Sequence, residues 1–144
     1  MGGRRAVGGA LGPGGAGVTG PGEPVVEIDP TSPAPPYEQI QAQITRYVAG
    51  GELPPGTALP AIRQLAADLG LAANTVARAY RELEAAGVVV TRVGHGTTVA
   101  AHARDASRAD TRRRLDRAAR AYLTTARQLG AGLDDAVAAL RATR

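Results

Sequence analysis

The sequence predicts a mostly α-helical fold carrying one small β-hairpin, and three observations predict it. Apolar residues recur at three- and four-residue steps in several separate stretches, which places them on single helix faces. Glycine or proline punctuates the gaps between those stretches. One β-branched run, Val88–Val93, is followed by the turn Gly94-His95-Gly96 and a second run, Thr97–Val99.

Bulk composition narrows the class. A chain of 144 residues fits one modest domain plus a small appendage. Cysteine is absent, which excludes a disulfide framework and a thiolate metal site. Four tyrosines are the only aromatic residues. A core of Ala, Leu, Val and Ile buries limited area, and burial yields only about 25 cal/mol per Å², so oligomerisation is an expected remedy. The formal net charge is +4 and all 17 cations are arginine. Wholesale absence of lysine reflects compositional bias, so arginine usage by itself is no sign of phosphate binding. No apolar run approaches about 18 residues, which excludes a helical membrane span. The glycine-rich start is unlike a secretory signal, and a cytoplasmic protein is expected.

Residues 1–34 are rich in Gly, Pro and Ala and are expected to be a disordered low-complexity tail, with Val25–Ile28 the one candidate strand. Residues 35–101 form the expected central domain. Pro35-Pro36 precedes a helix whose stripe is Tyr37, Ile40, Ile44, Tyr47 and Val48. Gly50-Gly51 ends it, and Glu52–Gly56 is a turn. Ile62, Leu65, Ala66 and Leu69 then mark a short helix, Gly70 a tight exit, and Val76, Ala79, Tyr80 and Leu83 a longer helix. Two helices joined by a short turn, the second with the polar residues Asn74, Thr75, Arg78 and Arg81 largely off its apolar stripe, are a helix-turn-helix. The hairpin that follows it is a wing.

Residues 102–144 form the expected helical tail. Leu115, Ala119, Tyr122, Ala126 and Leu129 are spaced four, three, four, three, a short heptad-like seam. Gly130-Ala131-Gly132 breaks it, and Leu133, Val137 and Leu140 mark a last helix with Asp134 and Asp135 in its first turn, where the helix dipole favours negative charge. Neither helix covers its apolar stripe alone, so this tail is expected to dimerise the chain through these eight residues.

Several blocks together resemble one family. Pro36-Tyr37-Glu38-Gln39-Ile40, Gly51-Glu52-Leu53-Pro54-Pro55-Gly56, Leu59-Pro60 with Arg63, Asn74-Thr75-Val76 with Arg78-Ala79, Leu83-Glu84 with Gly87, and Gly94-His95-Gly96-Thr97 are similar in order and spacing to the GntR-type bacterial transcription regulators. Asn74–Leu83 and the tail step Arg127-Gln128-Leu129-Gly130 resemble the YtrA-type subfamily. The resemblance implies DNA contacts from Arg63, from Asn74 and Thr75 at the start of the second helix, from Arg78, and from Gly94 at the wing tip. Arg81, Arg92 and His95 complete the candidate set by position. The chain departs from the family pattern at four positions: Ala61 and Ala72 occupy helix N-cap positions that relatives fill with Ser, Thr or Asn, Ala73 replaces a position often filled by Arg or Pro, and Ala77 one that is often Arg outside the YtrA type.

Arginine offers guanine a bidentate fork and asparagine offers one to adenine, each worth about 1–3 kcal/mol of discrimination. Charge is unevenly spread. Residues 37–103 hold five arginines (46, 63, 78, 81, 92) and five acids (38, 52, 68, 82, 84), whereas residues 104–127 hold eight arginines and three aspartates. Non-specific affinity depends on phosphate neutralisation, so Arg104, Arg108, Arg112 and Arg113 are candidates for phosphate contact where that helix starts near DNA, with a solvated helix face as the plainer alternative. Two histidines and no spaced carboxylate constellation leave no nucleophile or metal site, so no enzyme, metal or cofactor is expected. The resulting expectation is a regulator, a repressor by resemblance, binding a near-palindromic double-stranded operator as a homodimer. The family also implies release by a small-molecule effector. The rival reading is a winged-helix protein-interaction adaptor without specific DNA binding, which the neutral central domain favours.

Overall fold

A computed structural model describes residues 4–6 and 24–143. The elements run β1 (Arg4–Ala6), β2 (Val25–Glu27), α1 (Pro36–Ala49), α2 (Ile62–Leu69), α3 (Ala73–Ala85), β3 (Val89–Arg92), β4 (Gly96–Val99), α4 (Ala103–Gln128) and α5 (Leu133–Ala142). They divide into two compact units, one through Arg108 and one from Ala109 onward.

In the first unit, α1, α2 and α3 turn their apolar stripes onto one core. Ile40, Ile44 and Val48 of α1 meet Leu65 and Leu69 of α2 and Val76, Ala79 and Leu83 of α3, all buried. Burying each Val, Leu or Ile contributes about 1.5–3 kcal/mol. Pro36 sits at the first turn of α1, where its missing N–H is no loss. Gly70 ends α2 in the left-handed region at φ 67°, ψ 34°, which glycine adopts without a Cβ clash. As the alanines foretell, the N-cap residues of α2 and α3, Ala61 and Ala72, make no side-chain cap hydrogen bond.

The wing is the antiparallel pair β3–β4, with Val89 opposite Val99 and Arg92 opposite Gly96. Its turn is Val93-Gly94-His95, closed by His95 N donating to Arg92 O at 3.0 Å. The segment before α2 lines the outer edge of β4: Val99 N donates to Thr57 O and Leu59 N to Thr97 O, each at 2.9 Å. That pairing satisfies an edge that would otherwise be open.

The N-terminal side corrects one expectation. Residues 24–34 belong to the folded unit, not to a disordered tail; residues 1–3 and 7–23 of that predicted tail lie outside the described residues. Val26 is fully buried in the core. The reason lies on α1, whose Gln39, Gln43 and Tyr47 recur every four residues and face this segment. Gln43 accepts from Glu27 N at 2.9 Å and donates to Glu27 O at 2.7 Å. Tyr47 Oη donates to Val25 O at 2.7 Å, and Gln39 Nε2 donates to Asp29 O and Ala34 O. A short strand that buries little is thus held by two side-chain amides and a phenol. On its other edge β2 pairs antiparallel with β1, Arg4 opposite Glu27.

The boundary near residue 102 also moves. The helix α4 begins inside the first unit, where Ala103 is fully buried and Ala106 packs on the core. The second unit is the remainder of α4 and α5. Its expected seam divides. Ala126 is buried, and Tyr122 Oη donates to Ala136 O at 2.8 Å, so these two residues close the α4–α5 pair internally. Leu115, Leu129, Leu133 and Leu140 stay 56–80% exposed; Ala119 is exposed and Val137 half-buried. Asp135, placed in the first turn of α5, also accepts from Gly132 N at 3.2 Å and so caps the helix.

Candidate nucleic-acid interface

The first unit carries all eight candidate contact residues on three of its elements. Arg63 is exposed in the first turn of α2. Asn74, Arg78 and Arg81 are exposed on α3, and their four- and three-residue spacing puts them on one face, opposite the buried Val76, Ala79, Tyr80 and Leu83. Thr75, beside that face, is half-buried. Arg92, Gly94 and His95 are exposed at the wing end, and Arg92, His95, Gly96 and Thr98 line a shallow depression there. Gly94 takes φ 82°, a conformation that a side chain would strain.

Short bonds fix these elements relative to one another. Tyr80 of α3 is buried and donates its Oη proton to Pro60 O at 2.7 Å, tying α3 to the lead-in of α2. Burial raises the Tyr80 phenol well above its usual range, so it stays a neutral donor. Glu84 near the end of α3 accepts from Thr91 N of β3 at 2.8 Å, joining helix to wing. Within the wing, the Thr91 and Thr97 hydroxyls share a hydrogen bond at 3.0 Å across the strands. The polar face of α3, the start of α2 and the wing therefore form one braced surface.

The N-termini of α2 and α3 share a further property. Neither has an acidic residue in its first turn or a side-chain cap, so their leading N–H groups and the positive dipole ends are open to an outside anion. The four arginines at the start of α4 are all exposed, and three of them have partners within the chain. Arg104 is turned back, its Nε donating to Ala49 O at 3.1 Å, where it caps the C-terminal end of α1. Arg112 pairs with Asp116 at 3.6 Å and Arg113 with Asp110 at 3.5 Å. Among the described residues, no group of three or more His, Asp or Glu side chains is placed to hold a metal ion.

Comparison with known proteins decides the family. Residues 36–99 match the family model for bacterial regulatory proteins of the gntR family. The HTH-type transcriptional regulator Rv1152 of Mycobacterium tuberculosis is 44% identical over 113 residues, which span 78% of this chain and 88% of that protein. The chain belongs to the GntR family.

Within the GntR family it is of the YtrA type. The HTH-type transcriptional repressor YtrA of Bacillus subtilis is 40% identical over 80 residues, covering 56% of this chain and 62% of that protein. Among solved structures, YtrA from Sulfolobus acidocaldarius, a GntR-family transcription factor, aligns at 38% identity with a TM-score of 0.51, covering 63% of this chain and 97% of that one. The crystal structure of a transcriptional antiterminator from Listeria monocytogenes EGD-e aligns at 32% identity with a TM-score of 0.55, covering 75% of this chain and 81% of that one. This GntR-family chain is a winged helix-turn-helix transcription regulator and not an enzyme. Among its described residues, no helix is long and apolar enough to cross a membrane.

One residue of the surface escaped the sequence reading. Arg78 does not project alone: its guanidinium carbon lies 3.9 Å from the centre of the Tyr37 ring on α1. Tyr37 reads as one more member of an apolar stripe, and no spacing rule links it to a residue 41 positions later on another helix.

Proposed function

We propose that this chain is a repressor that binds a near-palindromic operator as a homodimer, reading bases with α3 and straddling the backbone with α2 and the wing. The observation that carries the reading is the exposed Asn74–Arg78–Arg81 face of α3, whose first turn is open to an anion. Asn74 and Arg78 supply the adenine- and guanine-type forks, Thr75 and Arg63 share the base readout, and Arg81, Arg92 and His95 supply phosphate or groove contacts. Gly94 lets the wing backbone approach the minor groove. In the second unit, the exposed Leu115, Leu129, Leu133 and Leu140, with Ala119 and Val137 between them, support pairing of two copies. Two-fold pairing would set two α3 helices about 34 Å apart on the operator. Release by a small-molecule effector rests on the family resemblance alone.

The neutral charge balance of residues 37–103 favours a second reading, an adaptor that binds protein through the tail. A gel shift against the promoter of the chain's own gene, run across a salt series, separates the two. The repressor reading expects a specific complex that weakens with salt and loses about 1–3 kcal/mol on Asn74→Ala. Absence of any specific complex at low salt favours the adaptor.

A further inference from the structure

The contact between Tyr37 and Arg78 joins the first turn of α1 to the middle of the polar face of α3. Tyr37 is half-buried against the core, so its ring is fixed by its surroundings, and its hydroxyl donates to Glu38 Oε1 at 3.2 Å. Arg78 is exposed and carries a long, rotamer-rich side chain. At 3.9 Å the guanidinium carbon is in van der Waals contact with the ring. A guanidinium that lies this close over a ring can stack on it, using its face for the ring and keeping its in-plane N–H groups for another partner. Stacking and edge-on hydrogen bonding to a base or phosphate therefore do not compete. An arginine held this way loses less freedom on meeting DNA than one that must be frozen from solution.

We propose that Tyr37 is a positioning residue for DNA recognition, holding the guanidinium of Arg78 in a binding-ready orientation before the operator arrives. This rests on the DNA-binding reading above. Tyr37 touches no DNA in this scheme; it acts only through Arg78.

The test is a double-mutant cycle on an upstream duplex that the wild-type protein shifts. Tyr37→Leu is expected to weaken binding about two- to fivefold per half-site, the scale of an exposed cation–π contact. Tyr37→Phe keeps the ring and is expected to bind like wild type. In an Arg78→Ala background, Tyr37→Leu is expected to have no further effect. A merely structural tyrosine would instead weaken binding equally in both backgrounds, and that result overturns the proposal. So does a Tyr37→Leu protein that binds as tightly as wild type. One measurement needs no variant that folds: in the free wild-type protein the Arg78 δ protons should be shifted upfield by the ring current, and ordinary shifts there overturn the pre-positioning. If the wild type forms no specific complex with any duplex, the parent reading fails along with this one. A wild-type complex indifferent to Tyr37 sinks the positioning role alone.

Discussion

Tyr80 is the residue on which the geometry of α3 most depends. The residue is 3% exposed and its hydroxyl satisfies a buried proline carbonyl. Tyr80→Phe should destabilise the winged unit by about 1–3 kcal/mol, because Pro60 O is left without a donor; urea unfolding checks this. The same residue sets a pH dependence. Its folded pKa is raised above the unfolded value of about 10, so its contribution is fully present below pH ~10 and is lost as pH rises beyond that. The stability gap between wild type and Tyr80→Phe should therefore shrink in alkaline buffer. Tyr37, Tyr47 and Tyr122 are common to both proteins and cancel in the difference. A gap that stays constant between pH 8 and about pH 11.5 would contradict a phenol kept neutral by burial.

At the scale of elements, the two alanine N-caps are the clearest departure from a well-made helix start. Ala72 has φ −67° and ψ 144°, backbone angles that a capping side chain tolerates. Ala72→Ser should add about 1 kcal/mol and raise the midpoint of thermal unfolding by several degrees. Ala72→Asp should stabilise similarly but weaken the operator complex, since its charge would face phosphate. Circular dichroism and a gel shift read the two effects separately. A stabilised Ala72→Asp variant with undiminished operator affinity would show that the α3 start does not face DNA. The elements themselves were legible in the sequence because each announces itself locally: apolar steps for α1 to α3, Gly70 for the turn, β-branched runs for the wing. What was not legible joins positions far apart in the chain. Gln39 and Gln43 are ordinary helix formers until the strand they hold is seen, and Arg104 looks like a spare cation until its Nε is found on Ala49 O.

For the whole molecule, the two units do not part where the composition changes. Cutting after Val99 would remove Ala103, fully buried in the first core, together with Ala106 and the Arg104 bond to α1. Cutting after Arg108 would spare them. A chain ending at Arg108 should therefore keep a cooperative unfolding transition and sediment as a monomer, whereas one ending at Val99 should unfold more readily. A dimer persisting in the Arg108-terminated chain would remove the tail from the proposed pairing. The heptad spacing of the tail exposed its apolar residues to sequence reading. It could not say which of them pack internally, because Tyr122 and Leu115 follow the same period yet only Tyr122 finds a partner across α5.

The amide clasp on β2 has a kinetic consequence. Gln43 and Tyr47 have nothing to offer Val25 and Glu27 until α1 is already a helix, because only the helix brings them onto one side. Docking of this strand should then follow the folding nucleus instead of belonging to it. Val26→Ala is expected to speed unfolding while leaving the refolding rate almost unchanged, whereas Ile44→Val in the three-helix core should slow refolding. Stopped-flow chevrons of the two variants would tell them apart, and slowed refolding in Val26→Ala would mean that the strand helps to start the fold.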